Sequence, residues 1–215
     1  MSYFHEGAGR SVERVGRRRS SHRFFFLLAI ALLTPLALLY AQTVYKGSKA
    51  SSSSKAAATT TLSNVYVTLY GWPDNSPAGN AIAYPKNGGY PTIHNVATAG
   101  QTYSNPGTFA TDALSGGEMA VGTIVYDPRF QKYFVLEDEC SGSGPDPGNC
   151  EYDWKKNKKY HIDLWLGGNP PANDNDVANC EDSLTFDGET IIENPPSNET
   201  VNTKSLFNSN TNTCW

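Results

Sequence analysis

Beyond residue 64 the chain alternates apolar and polar side chains in short runs, each ended by Gly, Pro, Asn or Asp. A period of two marks a strand with one face buried, and turn-forming residues mark its ends. Val65-Tyr66-Val67-Thr68-Leu69-Tyr70 predicts a first strand, stopped by Gly71 and Pro73. A long Pro- and Gly-bearing loop is expected from Trp72 to about Gly107. Thr123–Tyr126 and Lys132–Glu137, separated by Asp127-Pro128-Arg129, predict a hairpin with a four- or five-residue connection. His161–Trp165 is a further strand, and Leu184–Phe186 and Thr190–Ile192 are the last candidates. Helical periodicity is not sustained anywhere after residue 64; one helical turn is expected near Thr108–Leu114, which lacks breakers. Some six short strands with long Gly-rich loops predict a mainly β domain closed as a small barrel.

Upstream the pattern changes. Arg17, Arg18, Arg19 and Arg23 precede an uncharged apolar stretch, Phe24–Ala41. A basic flank before an apolar run is how a chain engages the secretory membrane. An uncleaved type II anchor and a removed signal peptide both fit; either delivers residues 64–215 outside the cytosol. The expected organisation is therefore a basic segment 1–23, an anchor or signal helix 24–41, a disordered Ser/Ala/Thr-rich linker 42–63, a barrel domain 64–195 and a tail 196–215.

Charge sharpens this division. The 215 residues carry a formal net charge of −4. Residues 1–63 hold nine Lys/Arg against two Asp/Glu (+7), and the remainder eight against nineteen (−11). A domain at −11 argues against nucleic acid, since phosphate binding needs clustered basic side chains. All four cysteines, Cys140, Cys150, Cys180 and Cys214, follow the apolar run. An even number in an exported domain points to two disulfides. Three pairings are open; the favoured one joins Cys140 to Cys150 and Cys180 to Cys214, the second tying down the tail. No CxxC spacing exists, and the domain holds only His94 and His161. Neither a metal nor a cofactor is expected. The Asn/Asp-rich stretch 173–182 lacks the EF-hand order and reads as a solvated loop. Asn198-Glu199-Thr200 is a glycosylation sequon, placing Asn198 at the surface.

Four pieces, in order over residues 65–166, resemble a known fold family. Thr68-Leu69-Tyr70-Gly71 resembles the opening strand of the six-stranded double-psi β-barrel shared by expansins, rare-lipoprotein-A-type lytic transglycosylases, family 45 endoglucanases and barwin. Gly122-Thr123-Ile124-Val125 is similar to the family's Gly-Thr-x-Val strand. Val135–Cys140 resembles its Val-x-Asp-x-Cys strand, and His161-Ile162-Asp163-Leu164 its His-Phe-Asp-Leu strand. Beyond Leu166 there is no counterpart.

The candidate chemistry rests on carboxylates. Alternation sends Asp163 to the face opposite Ile162 and Leu164, beside Trp165. A carboxyl partly desolvated against an aromatic keeps its proton to higher pH and suits donation to a glycosidic oxygen. The resemblance implies the same catalytic-acid role, and it places Asp138 near Asp163 across one groove. It also implies a groove pair, Thr68 to hydrogen-bond a carboxylate and Tyr70 to stack on a sugar ring. Family 45 endoglucanases carry a second aspartate directly after that tyrosine; here Gly71-Trp72 stands there, and the nearest acid is Asp74. Trp72 and Trp165 are candidate sugar-stacking rings, and His94 is a second acid/base or a loop-ordering hydrogen-bonder.

These readings predict an extracytoplasmic, monomeric protein cleaving glycosidic bonds in cell-wall polysaccharide, endoglucanase-like or lytic-transglycosylase-like, with Asp163 as acid and Asp138 assisting. The alternatives are a non-catalytic expansin-like glycan-binding module and a secreted interaction protein, an inhibitor or effector, on the same barrel.

Overall fold

The computed structural model describes residues 57–113, 117–140 and 149–215. The expected basic segment, the anchor or signal helix and most of the linker lie outside the described residues. Among those described, no helix is long and apolar enough to cross a membrane.

The barrel is built from β1 (Thr60–Gly71), β3 (Asn105–Thr111), β4 (Ile124–Asp127), β5 (Lys132–Glu139), β6 (His161–Gly167) and β7 (Phe186–Glu193). Neighbours run in the order β3-β5-β4-β7-β1-β6, and β6 pairs back onto β3, which closes six strands into a mixed barrel. Two pairs are parallel, β1 with β6 and β3 with β5; the other four are antiparallel. A short strand, β2 (Ala99–Thr102), pairs with the first half of β3, on the edge whose second half belongs to β6.

Alternation fills the interior. Val65, Val67 and Leu69 of β1, Phe109 of β3, Val125 of β4, Phe134 and Leu136 of β5, Ile162 and Leu164 of β6 and Ile191 of β7 are all buried in one core. Truncating any of the larger ones to Ala costs about 2–5 kcal/mol, because such a core collapses only partly around the lost volume. The β4–β5 hairpin turns through residues 128–131 between the paired Asp127 and Lys132. Asp127 Oδ1 accepts the amides of Arg129 and Phe130, at 2.8 and 3.2 Å.

Several elements differ from the sequence expectation. The first strand reaches back to Thr60, because Thr60, Thr61 and Leu62 pair with Glu193, Ile192 and Ile191. A bulge at Asn64, with φ of 60°, lets the strand change register there. Thr108–Thr111 is strand, since β5 and β6 claim both edges of β3. The expected solvated loop at 173–182 is instead the helix α2 (Asp174–Leu184). Asn173 caps it by accepting the amides of Asn175 and Asp176, and Asp174 and Asp176 complement the helix dipole in its first turn. Its buried stripe, Val177, Cys180, Glu181 and Leu184, has helical spacing and packs on β1. A helical turn, α1 (Cys150–Tyr152), precedes β6.

The last twenty residues are not a loose tail. Leu206 and Phe207 are buried in the core, and β8 (Phe207–Asn208) pairs with β9 (Thr213–Cys214). The hydroxyls of Tyr126 and Tyr133 donate to the carbonyls of Thr200 and Pro196, at 2.6 and 2.7 Å. The disulfides join Cys140 to Cys150 and Cys180 to Cys214, so the second one ties the chain end to α2. Two disulfides fit an oxidising, extracellular environment. Asn198 lies exposed.

Candidate functional site

The parallel pairing of β1 with β6 sets Thr68 against Asp163 and Tyr70 against Trp165. On the other side of β6, Asp163 faces Ala110 of β3, and Ala110 is also the partner of Asp138 on β5. The two aspartates therefore flank one small residue, about two strand spacings apart, roughly 9–10 Å between their Cα atoms. Ala110 is buried and fills little of the space between them. Ile162 and Leu164 point into the barrel, so Asp163 turns outward.

What forms there is a polar hollow of about 240 Å³, lined by Tyr70, Asp74, Asn75, Ala110, Glu139 and Asp163. A second hollow of about 260 Å³, lined by Asn75, Ser76, Ala81, Ile82, Ala83, Asp138 and Glu139, shares Asn75 and Glu139 with it. The two hollows adjoin at Asn75 and Glu139 as a trough, Asp163 lining the first and Asp138 the second.

The hydrogen bonds assign the carboxyls different conditions. Thr68 Oγ1 donates to Asp163 Oδ1 at 2.8 Å and lies 3.0 Å from His161 Nε2. The other ring nitrogen of His161 is 3.0 Å from Asp153 Oδ2. Burial raises Asp163 to about 7, the charges of Asp74 and Asp138 add to the rise, and the Thr68 hydroxyl opposes it. At neutral pH this carboxyl keeps much of its proton. Asp138 is held by three donors: the amides of Ala83 and Glu139 at 2.8 and 2.9 Å and the Tyr70 hydroxyl at 2.9 Å. Burial still raises it, against those hydrogen bonds. Asp74 reaches the hollow from the turn after β1, where its Oδ1 accepts the Gly71 amide at 2.8 Å. Glu139 is raised by burial and accepts from the Tyr84 hydroxyl.

Some candidates fall elsewhere. Trp165 is buried, 2% exposed, with its ring edge-on to Tyr70 at 5.1 Å. It braces the floor under the trough and offers no face to a sugar. Tyr70, 7% exposed, gives the trough its hydroxyl end and not a stacking face. Trp72 is half-buried and packs against this same small cluster. His94 lines neither hollow: its Nδ1 sits 2.7 Å from Glu137 Oε2 and its Nε2 3.2 Å from Asn105 Oδ1. It orders the loop ahead of β2. Among the described residues no group of His, Cys, Asp and Glu is arranged to hold a metal ion.

One carboxyl beside the trough was not singled out from sequence. Glu181 comes from α2, and burial, followed by the charges of Asp74, Asp163 and Asp182, raises it to about 8. Its signal is an acid inside an apolar helical stripe, invisible while that stretch reads as a loop.

Residues 62–215 match the family model described as the DDB_G0273701 N-terminal domain. The chain is similar to uncharacterized protein DDB_G0273701/DDB_G0273221 of Dictyostelium discoideum, 35% identical over 148 residues, which are 69% of this chain. The match spans 58% of that relative's length. No solved structure matches.

Proposed function

The chain belongs to the family of the DDB_G0273701 N-terminal domain, and from that premise we propose that it is an extracytoplasmic protein cleaving glycosidic bonds in a cell-wall-type polysaccharide. The observation that carries this reading is the trough: a carboxyl raised to about 7 opens onto it, with a second carboxylate beside it and a third across Ala110. In this reading Asp163 donates its proton to the leaving glycosidic oxygen, which needs an acid still protonated near neutral pH. Asp74 is the second carboxyl, placed to receive a proton from the attacking water. Asp138, fixed by its three donors, lines the second hollow and assists from across Ala110.

We read the barrel as a double-psi barrel. Two parallel pairs placed symmetrically about the β3–β6 seam support that topology, as does the order of the four resembling segments. The two disulfides and the surface sequon support export through an oxidising secretory route, with the basic segment and apolar run 24–41 as signal or type II anchor.

The test is incubation of the purified protein with chitin, cellulose, β-glucan and peptidoglycan, followed by mass spectrometry of released fragments. Fragments with new reducing ends are expected, and Asp163→Asn should release them about 10²–10⁴-fold more slowly while still being retained on the glycan. Retention without fragments from the parent protein would replace the enzyme with a glycan-binding module. Neither retention nor fragments would remove the polysaccharide altogether.

A further inference from the structure

Glu181 is a buried carboxyl that the chemistry above does not use. It is 9% exposed, and no donor faces its Oε1. An ionised oxygen buried without a donor is costly, whereas a protonated one becomes a donor itself. The surroundings say where that proton points. A Cβ built on Gly71 would lie 3.0 Å from Glu181 Oε1 and 2.9 Å from Val177 Cγ1. Only glycine leaves room for α2 to press this carboxyl against the end of β1. There the Gly71 amide holds Asp74 Oδ1, so both carboxyls converge on the Gly71 backbone, and among the neighbouring charges Asp74 raises Glu181 most. Two carboxyls in contact hold one proton between them. The charged groups facing Glu181 are Asp74 on the turn, Asp163 on β6 and Asp182 on its own helix. Burial first, and then these three acidic neighbours, keep the proton on Glu181 at neutral pH. The Cys180–Cys214 disulfide, one residue away, fixes the helix that carries it.

We propose that Glu181 is a positioning residue: from the protein side it donates its proton to Asp74, and so holds the Asp74 carboxyl group towards Asp163 across the trough. Asp74 then has a donor on each flank, the Gly71 amide and the Glu181 carboxyl, with its remaining lone pairs free towards solvent. The proposal rests on the glycosidase reading for what Asp74 does next, but the Glu181–Asp74 contact stands apart from it.

The experiment uses amide NMR of the full protein, following Gly71 from about pH 5 to about pH 10, with the Glu181→Gln, Glu181→Leu and Asp163→Asn variants beside it. Loss of the Glu181 proton removes a donor from Asp74 and must be felt at the amide on its other flank. The Gly71 signal should move with a midpoint near 8, keep that step in Asp163→Asn and lose it in Glu181→Gln. No step in the parent protein, or a step that survives in Glu181→Gln, overturns the proposal. If Glu181→Gln does not fold, the parent and Asp163→Asn titrations decide. On a glycan that the parent cleaves, Glu181→Leu should lower kcat about tenfold or more with KM nearly unchanged, and Glu181→Gln, which keeps a donor, should restore most of it. An equal loss in both variants would also overturn it. If the parent cleaves nothing, the glycosidase reading fails and the Gly71 titration still decides the Glu181–Asp74 contact.

Discussion

Glu137 and Asp163 are strand carboxyls on opposite sides of β3, and their partners differ sharply. Glu137 is fully buried and saturated. Its Oε1 accepts the amides of Ile93 and His94 at 2.6 and 2.7 Å, and its Oε2 meets His94 Nδ1 at 2.7 Å and the Thr108 hydroxyl at 3.0 Å. Asp163 has one hydroxyl donor, two acidic neighbours and an opening to the trough. A carboxylate whose oxygens are all taken by donors pins the loop that supplies them; one starved of donors in a desolvated site holds a proton that it can give away. Donor supply, and not burial alone, separates the structural acid from the candidate catalytic one.

The largest effect expected from this contrast is on activity. Asp163→Asn should lower the rate of glycan cleavage by about 10²–10⁴-fold, the usual worth of a general acid. In the parent protein the rate should fall as pH rises through about 7, where Asp163 loses its proton. A pH–rate profile flat from pH 6 to 9 would break the assignment.

Next comes Glu137. Glu137→Leu removes the acceptor for four donors, one of them the buried Thr108 hydroxyl, and should cost about 3–5 kcal/mol in urea unfolding. If it costs less than about 1 kcal/mol, saturation is not what makes this acid structural.

The third prediction inverts the usual sign of a polar substitution. The folded state holds the Asp163 proton up to about 7, while the unfolded chain releases it near 3.8. Between those values the native state binds more protons, so its stability falls as pH rises, and the deficit is complete above about 7. Asp163→Asn, which does not titrate, should therefore be more stable than the parent by about 1–3 kcal/mol at pH 8, with the advantage vanishing below about pH 4. Paired melting curves across that range check it.

Smaller effects complete the series. His94→Gln weakens one side of the Glu137 cluster and should cost about 1–2 kcal/mol without changing glycan cleavage. Lys155→Ala breaks an exposed pair with Glu151, one helical turn apart at 2.7 Å, and should leave the melting curve unchanged, because solvent screens the pair. A loss of cleavage in His94→Gln would erase the boundary between the two regions.

How much of this was legible depended on the range of the interaction. β1, the β4–β5 hairpin and β6 were readable because their alternation is local and each ends at a turn residue. α2 was not: its Asn- and Asp-rich stretch is a weak helix former, and its short apolar stripe gains meaning only against β1 and the Cys214 disulfide. Trp165 and Asp163 lie on one face of β6, so alternation placed them together; their different exposure comes from Tyr70 of the neighbouring strand, which covers the indole. Glu181 was hidden along with its helix.

By itself the order of residues determined the strand-rich class, the acidic residues 64–215 behind a basic stretch, and the outward face of Asp163, because period, charge and composition act over a few neighbours. Only the closed barrel decided that Asp138 and Asp163 flank Ala110, that Asp74 joins them, and that Glu181 arrives beneath Gly71. Those distances are set by strand register and helix docking, which depend on the packing of the whole core and are written in no single segment.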